Sequence, residues 1–270
     1  MMQNNSDKCR ICGSEELTEK NIGSTLLKHC NSCDIFYSAD FPDESKINKY
    51  YEKDYIISTN DIISSEKRRI FRLPEQISLI SEIKKYVKTP AKLLDIGCDK
   101  GFFLDEARRW DFEVYGIEPS TSAREYCKRV SIPTTAELDE VNDKFSAITM
   151  WHSLEHHLEP VQALSEIKEK LDNNGFLFIR VPAFDCFWRR LFKSKWIWFQ
   201  PRNHYFQFTA DSLRNMLQTT GFEVNSIVHQ KPNTRFTKKM YRNMNSIFRQ
   251  IEDGNLNIKN YLQRKYEDLT

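Results

Sequence analysis

The sequence predicts an α/β fold, a mostly parallel sheet flanked by helices, preceded by a small cysteine-rich region. Three observations carry this. Short β-rich apolar runs alternate with helical stretches across residues 91–183. The first of those runs enters a glycine-containing turn that opens a helix. Two Cys-x-x-Cys pairs stand near the N-terminus. Strands alternating with helices of ten or so residues imply βαβ units, whose crossovers leave neighbouring strands parallel.

In chain order, residues 1–40 hold the cysteine pairs and little else expected to form a core. Residues 41–90 read as a polar helical linker or lid, with aromatics at Tyr50, Tyr51 and Tyr55 and a break at Pro74. The core spans 91–230. LLDI (93–96) precedes a helix beginning near Gly101, FEVYGI (112–117) a helix from about Thr121 to Val130, and FSAITM (145–150) a helix through 161–171. FLFIRV (176–181) follows Gly175. TADSLRNMLQTTGF then reads as a helix with Thr209 at its N-cap and Gly221 just past its end. After the apolar run FEVNSIV (222–228) no clear further strand is expected, and 231–270 reads as a basic helical tail.

Composition narrows the class. Eight glycines in 270 residues exclude a collagen-like chain, and 29% charge with 40 basic against 38 acidic side chains opposes wholesale disorder. The near-neutral average gives no strong reason to invoke nucleic acid. The tail, with nine basic and four acidic residues, permits an anionic partner. No uncharged apolar run approaches the roughly 18 residues of a membrane-spanning helix. The N-terminal stretch lacks the apolar core of a signal peptide. The expected location is cytoplasmic.

Cys9-Arg-Ile-Cys12-Gly13 and Cys30-Asn-Ser-Cys33 are separated by 17 residues. Two such knuckles can close a tetrahedral thiolate cage, the ligand set zinc favours in structural sites. Cys9, Cys12, Cys30 and Cys33 are therefore the expected ligands of a structural zinc, with all four positions filled by protein. Two unrelated pairs of buried or redox cysteines is the alternative. His29 is expected to be a bystander. Cys98, Cys127 and Cys186 have no mutual pattern and are expected to be buried thiols. The knuckle could serve nucleic acid, a protein or only its own domain.

The strand LLDI runs into Gly97-Cys98-Asp99-Lys100-Gly101 and then a helix, a unit that brings backbone close to a cofactor at the carboxyl end of a sheet. The dinucleotide version needs glycines where Asp99 and Phe102 stand, which counts against a nicotinamide cofactor. L-L-D-I-G-C-D-K-G followed by V-Y-G-I-E-P-S instead resembles the class I S-adenosylmethionine-dependent methyltransferases. Their first motif is an acidic residue followed by G-x-G-x-G, and an acidic residue ends their second strand. F-S-A-I-T-M-W-H-S-L-E-H-H-L-E-P and the later H-Y-F-Q-F-T-A-D-S-L with T-G-F resemble the fourth motif and final helix of a bacterial branch of that family. The branch contains small-molecule and sugar methyltransferases, some with an N-terminal zinc-binding region. The likeness covers residues 90–228 strongly and the cysteine region moderately.

The resemblance implies a Rossmann-like core and S-adenosylmethionine as cofactor. Its binding set is Asp95, Gly97, Cys98, Asp99, Gly101, Glu118, Pro119, Ala136, Glu137 and Trp151. Gly97 and Gly101 form the turn under the methionine part, and Asp95 orients that loop. Glu118 accepts hydrogen bonds from the two ribose hydroxyls, while Ala136 and Glu137 lie near the adenine. Asp99 occupies the family's middle glycine. Its side chain either weakens cofactor binding or pairs with the α-ammonium, and a charge-assisted contact favours the second outcome.

Trp151-His152-Ser153-Leu154-Glu155-His156-His157 contains H-x-x-E-H, which also matches an inverted zincin protease motif. On a helix His152, Glu155 and His156 would share one face. The run follows a strand, however, and no motif supplies a third metal ligand, so the protease reading is set aside. By the resemblance the cluster ends the fourth strand and faces the transferred methyl group. A hydroxyl acceptor must lose its proton, and histidine titrates near neutrality. His152 is therefore the first candidate for general base or substrate-orienting group and His204 the second. Glu155 and His156 hold the loop or contact substrate. Purely structural roles are the alternative for each. The Asn/Asp-Pro-Pro-aromatic sequence of base-amine methyltransferases is missing at this place, which counts against a nucleic-acid partner.

Residues 184–208 form an aromatic–basic insertion, with ten aromatics, five basic residues and no carboxylate between Asp185 and Asp211. Aromatic faces stack on sugars or bases, while Arg and Lys contact phosphates. The expected acceptor is a small hydroxylated molecule methylated on oxygen. A sugar, nucleotide-sugar or glycan intermediate, phosphorylated or nucleotide-linked, fits best. The same composition suits peripheral contact at the inner face of the membrane, reaching a lipid-linked acceptor. A lid packing its aromatics inward is the third option. The rival functions are an RNA methyltransferase using the knuckle and basic tail, and a non-catalytic cofactor-binding scaffold. The oligomeric state is left open.

Overall fold

A computed structural model describes residues 7–42 and 62–229. The expectations for Tyr50, Tyr51, Tyr55 and the tail 231–270 lie outside the described residues.

The N-terminal segment folds as β1 (Leu17–Ile22), β2 (Thr25–Cys30) and β3 (Phe36–Ser38), paired antiparallel. The parallel sheet follows. It contains β4 (Ala91–Ile96), β5 (Phe112–Ile117), β6 (Thr134–Thr135), β7 (Phe145–Trp151) and β8 (Leu171–Arg180) in the order β6-β5-β4-β7-β8, every pair parallel. The buried runs of β4 and β7 read as near-continuous apolar sequence because both faces of a parallel sheet are covered. The strand order reverses at β4, and the crevice outside the carboxyl ends of β4 and β7 is where ligands enter such sheets.

A short strand from far down the chain, β9 (Phe206–Gln207), adds to β3 and completes the N-terminal sheet. This corrects the expectation that residues 1–40 lack a core. Leu27, Ile35 and Tyr37 are buried, and one apolar cluster joins Cys9, Cys30, Cys33, Ile35 and Tyr37 to Phe206, Phe208, Leu94 and Ile148. The fourth strand and much of the apolar partner surface lie outside the first 40 residues, beyond the reach of a local reading.

The first described helix, α1 (Ile62–Ile83), runs through Pro74 without ending there, a second correction. A proline inside a helix removes one backbone hydrogen bond and crowds the preceding turn, at about 3 kcal/mol. Here tertiary packing offsets that cost: Ile70, Ile80 and Ile83 are buried, the last two against Leu93 and Phe112. Ion pairs add to the hold. Arg69 meets Asp105 of α2 (Phe102–Ala107), and Glu75 meets Arg180 of β8. The remaining helices are α3 (Thr121–Arg129), α4 (Pro160–Lys170), α5 (Phe187–Phe192) and α6 (Ala210–Thr219). Thr209 caps α6 as its sequence predicts. The Thr209 hydroxyl accepts from the Ser212 N–H at 3.1 Å, and the Ser212 hydroxyl accepts from the Thr209 N–H at 2.9 Å. FEVNSIV (222–228) joins no strand among the described residues.

Candidate active site

The loop after β4 is built by its own backbone. Gly97 and Gly101 have φ of 78° and 67°, conformations in which a β-carbon is strained. A β-carbon on Gly97 would also stand 2.8 Å from the Ser153 hydroxyl, so the turn after β4 and the turn after β7 touch. Asp99 holds the left-handed conformation too, at φ 49°. Its N–H donates to Glu118 Oε2 at 2.9 Å, and its Oδ1 is buried with no hydrogen-bond partner.

Glu118 directly follows β5 and is 4% exposed. Its Oε1 accepts the Ser120 N–H at 2.8 Å. Each carboxylate oxygen therefore still has a free lone pair. Burial pushes its carboxyl up to about 7 despite those two donors. Asp95 lies under the loop, buried, and accepts from Thr149 Oγ1 at 2.7 Å. Burial pushes it up to about 7 as well. Pro119 is exposed, and its carbonyl accepts from Arg124 at 2.7 Å. Ala136 and Glu137 stand after β6, both N–H groups donating to Glu140 Oε1 at 3.0 and 2.9 Å. Trp151 meets Phe103 edge-on at 5.5 Å, and its buried Nε1 lacks a hydrogen-bond partner.

Cys98 and Cys127 do have a mutual pattern, contrary to expectation. Their thiols interact directly, and a hydrogen bond donated by Cys98 to Cys127, together with burial, pushes Cys98 up. Both sulfurs also approach the Asp99 carbonyl, at 3.8 and 3.4 Å. The pairing is made by α3 folding back over the loop, which spacing in the sequence does not show. Cys186 is half-buried.

The histidine run does not form the helix that an H-x-x-E-H face requires. Leu154–His156 is one 3-10 turn, and His152 precedes it in the left-handed region at φ 54°. The His152 N–H bonds the Arg180 carbonyl at 2.8 Å, which carries the chain out of β7 alongside β8. Its ring is half-buried and stacks on Trp198 at 4.9 Å, 9° from parallel. Its Nδ1 lies 3.5 Å from Glu155 Oε1, an ion-pair distance too long for a good hydrogen bond. Burial alone would raise the Glu155 carboxyl, but His152 and His156 beside it hold it below the ordinary value.

His204 arrives with the insertion. It is buried, its Nδ1 is 3.0 Å from the Trp198 carbonyl, and its ring meets His156 edge-on at 4.8 Å. Burial drives it down to about 4. The Tyr205 N–H donates to the Glu155 carbonyl at 2.8 Å and the Ser38 N–H to the Tyr205 carbonyl at 2.9 Å. Insertion, histidine turn and N-terminal sheet are thus sewn together by backbone. Within the insertion Phe184, Trp196 and Phe199 pack inward. Phe187, Trp188, Leu191, Phe192, Ile197 and Trp198 stay exposed, Ile197 at 77%. Thr149, Ser153 and Trp198 border the two turns, touching Asp95, Gly97 and His152. Trp198 had a compositional signal; the other two had none.

The four cysteines converge. Cys9 and Cys33 sulfurs are 3.7 Å apart and Cys12 and Cys30 sulfurs 3.6 Å. A tetrahedral ion with bonds of about 2.3 Å sets its sulfurs about 3.8 Å apart, so this group could hold one. The Cys33 thiol donating to Cys9 draws Cys9 down to about 5, and Cys33, keeping the shared proton, is pushed up. The Ile11 N–H points at Cys9 Sγ at 3.4 Å, and Gly13 closes the knuckle at φ 73°. His29 stays outside, stacked on Phe36 and bonded through Nε2 to Asp34 at 2.9 Å.

The chain is similar to several known proteins. The chain is 28% identical over 152 residues to carboxy-S-adenosyl-L-methionine synthase from Campylobacter hominis, covering 50% of this chain and 63% of that one. It therefore spans less than two thirds of that relative's length. Magnesium protoporphyrin IX methyltransferase from Synechocystis PCC 6803, solved with S-adenosylhomocysteine (SAH), shares the fold. Its TM-score is 0.53 at 13% identity, over 70% of this chain and 94% of that one. A methyltransferase from Archaeoglobus fulgidus aligns with a TM-score of 0.48 at 17% identity, over 65% and 86% of the two chains. No helix among the described residues is long and apolar enough to cross a membrane. A family model described as a methyltransferase domain matches residues 66–227, and with the parallel sheet and its glycine loop this shows that the chain belongs to the methyltransferase-domain family, with the fold of the class I S-adenosylmethionine-dependent enzymes.

Proposed function

We propose that this chain transfers a methyl group from S-adenosylmethionine to a hydroxyl of a small acceptor, a sugar, nucleotide-sugar or glycan intermediate. His152 carries this reading. It is a half-buried imidazole at the carboxyl end of β7, held at positive φ, stacked on Trp198 and 3.5 Å from a buried carboxylate. A base so placed takes the acceptor proton while Glu155 stabilises the resulting imidazolium.

The loop residues fit the cofactor. Gly97 and Gly101 keep β-carbons out of the turn, and the unpartnered Asp99 oxygen is free for an α-ammonium. Glu118 has lone pairs left for ribose hydroxyls. Asp95 holds the loop through Thr149, and Cys98, Pro119, Ala136, Glu137 and Trp151 complete the wall. When bound, S-adenosylmethionine supplies a methyl group on a positively charged sulfur. The chain's own part is to align the acceptor and shed its proton, and positioning alone can contribute much of the rate. His156 and His204 hold the turn. Cys9, Cys12, Cys30 and Cys33 hold a structural zinc.

On this reading the chain comprises a knuckle over 1–40, a helical linker over 41–90, a transferase core over 91–230 with the insertion at 184–208, and a basic tail over 231–270. The exposed aromatics of the insertion, interleaved with Arg190, Lys193 and Lys195, meet a phosphorylated acceptor or the membrane surface that presents it.

The test is an acceptor panel of nucleotide sugars and phosphorylated glycans with S-adenosylmethionine, read as SAH release. At least one hydroxylated acceptor is expected to turn over. His152→Ala should lower that turnover by about 10²-fold or more at unchanged cofactor affinity. Full turnover in His152→Ala, or methylation of RNA alone, rules the reading out.

A further inference from the structure

We propose that Glu155, His156 and His204 form a divalent-cation site beside the acceptor crevice, separate from the four-cysteine cluster. One donor atom from each of the three lies within 4.8 Å of the others. Two ligands on a shared ion with bonds of about 2.1 Å stand at most about 4.2 Å apart, so small side-chain rotations close the set.

Two observations beyond proximity point to a cation. The first is Glu155. It is 1% exposed, and neither carboxylate oxygen has a hydrogen-bond partner. Its closest ion-pair contact is His152 Nδ1 at 3.5 Å. A carboxylate taken out of water without donors needs a positive charge close by. The second is the tautomer of the two histidines. His156 Nδ1 lies 2.8 Å from the Asn203 carbonyl and His204 Nδ1 3.0 Å from the Trp198 carbonyl. A carbonyl can only accept, so both Nδ1 atoms carry a ring proton, and in the neutral ring, the form that binds a metal, each Nε2 keeps its lone pair. A ring N–H anchored on a backbone carbonyl, with the other nitrogen left as a donor, is the outer-shell arrangement of metal-binding histidines. The cluster thus presents two imidazole lone pairs and one carboxylate.

The donor set is harder than the cysteine cluster. Two imidazoles and one carboxylate suit manganese, iron, cobalt or zinc, whereas four thiolates select zinc. Three protein ligands also leave coordination positions open, which the cysteine cluster does not. Trp198 links this site to the crevice, since its carbonyl holds His204 while its ring stacks on His152. Resting on the function proposed above, we infer that the open positions take the oxygen of the acceptor, fixing it for His152.

Ion binding can be tested without turnover. The full chain, with its zinc content measured, is titrated with Mn²⁺ and bound manganese is counted by the loss of the free-ion electron paramagnetic resonance signal. Manganese is the probe because thiolates do not retain it against zinc. One Mn²⁺ per chain is expected, weakened at least 10-fold in Glu155→Gln and in His156→Gln. A second zinc per chain that vanishes in Glu155→Gln counts equally in favour. Thermal unfolding and S-adenosylmethionine binding establish that each variant is folded. Should Glu155→Gln not fold, the half-buried His156→Gln decides. Neither ion bound beyond the cysteine zinc, or binding unchanged in the folded variants, overturns the site. Turnover separates the two proposals. Hydroxyl methylation that survives removal of this ion sinks the acceptor-oxygen role, while an ion bound without any hydroxyl turnover sinks the function proposed above and leaves the site.

Discussion

The loop after β4 and the turn after β7 face each other across one crevice, close enough for Gly97 to lie against Ser153, yet they are made differently. The first is local. Its glycines, Asp99 and Asp95 lie within seven consecutive residues, and the partner that fastens it, Glu118, is supplied by the next strand. The second is assembled. His152 takes its stacking partner from the insertion, the Glu155 carbonyl accepts the Tyr205 N–H, and Tyr205 is tied to Ser38 of the N-terminal sheet. A lesion far from the crevice should therefore damage the acceptor side and spare the cofactor side.

The largest effect expected on that view comes from the cysteine cluster. Cys30 is fully buried and belongs to the apolar cluster shared by both sheets. Cys30→Ser removes one ligand of the proposed zinc and should lower the unfolding midpoint by of order 10 °C, as several kcal/mol would in a chain of this size. Below that midpoint turnover should fall much further than S-adenosylmethionine affinity, because β3 supports Tyr205 and the histidine turn. Calorimetry and an acceptor assay on the same preparation check both halves. Equal loss of affinity and turnover would break the comparison.

Glu118 probes the other side. Replacing it by Gln removes a charged acceptor of hydrogen bonds, an interaction of about 1.5–3 kcal/mol, so affinity for S-adenosylmethionine should drop by about 10- to 100-fold. Turnover at saturating cofactor should change far less. The same residue sets a pH dependence. Its carboxyl is raised by burial from 4.5 to about 7, so the folded chain holds that proton more tightly than the unfolded chain does. The associated stability is complete below about pH 4.5 and is lost as pH rises through about 7. Cofactor affinity should run the opposite way, rising from pH 6 to 8 as the carboxylate forms, and titration calorimetry on Glu118→Gln should show a flatter profile.

These contrasts also explain what the sequence made legible. The parallel sheet was readable because each strand, turn and helix is specified by its own stretch, as the Gly97–Gly101 turn and the Thr209 cap illustrate. The cysteine convergence was readable because the ligand spacing constrains it. The fate of Pro74 was not, since burial of Ile80 and Ile83 against the sheet overrides the local preference to break. Nor was the joining of β9 to β3, a pairing between segments far apart in the chain. Glu155, His156, His152 and His204 were each visible as residues. Their grouping depended on a 3-10 turn and an insertion whose path no periodicity encodes.

Trp198 sharpens the same contrast at lower amplitude. Trp198→Ala deletes the ring on which His152 stacks but keeps the carbonyl that holds His204. Aromatic contacts of this kind contribute about 0.5–1.5 kcal/mol beyond burial, so kcat/KM for the acceptor should fall by about 3- to 10-fold. Cofactor affinity measured alongside should stay within twofold. A fall in cofactor affinity instead would mean that the insertion supports the glycine loop, and the two regions would then be one.

The smallest effect concerns Asp99, where two forces of similar size oppose each other. The residue sits at φ 49°, which costs an L-residue roughly 1–2 kcal/mol and a glycine almost nothing. Asp99→Gly should therefore stabilise the free protein slightly, seen as a rise of about 2–4 °C in the unfolding midpoint. The buried Oδ1 has no partner in the free protein, so retaining the carboxylate brings no compensating bond there. Its compensation arises only when a positive group enters the loop, as the α-ammonium of the cofactor does. A charge-assisted hydrogen bond slightly stronger than the strain gives a net loss of binding in Asp99→Gly of about 3- to 10-fold. Opposite signs in the two measurements, a higher midpoint with weaker binding, identify Asp99 as strained in order to hold the ligand. A higher midpoint with unchanged or tighter binding assigns the strain to the chain alone.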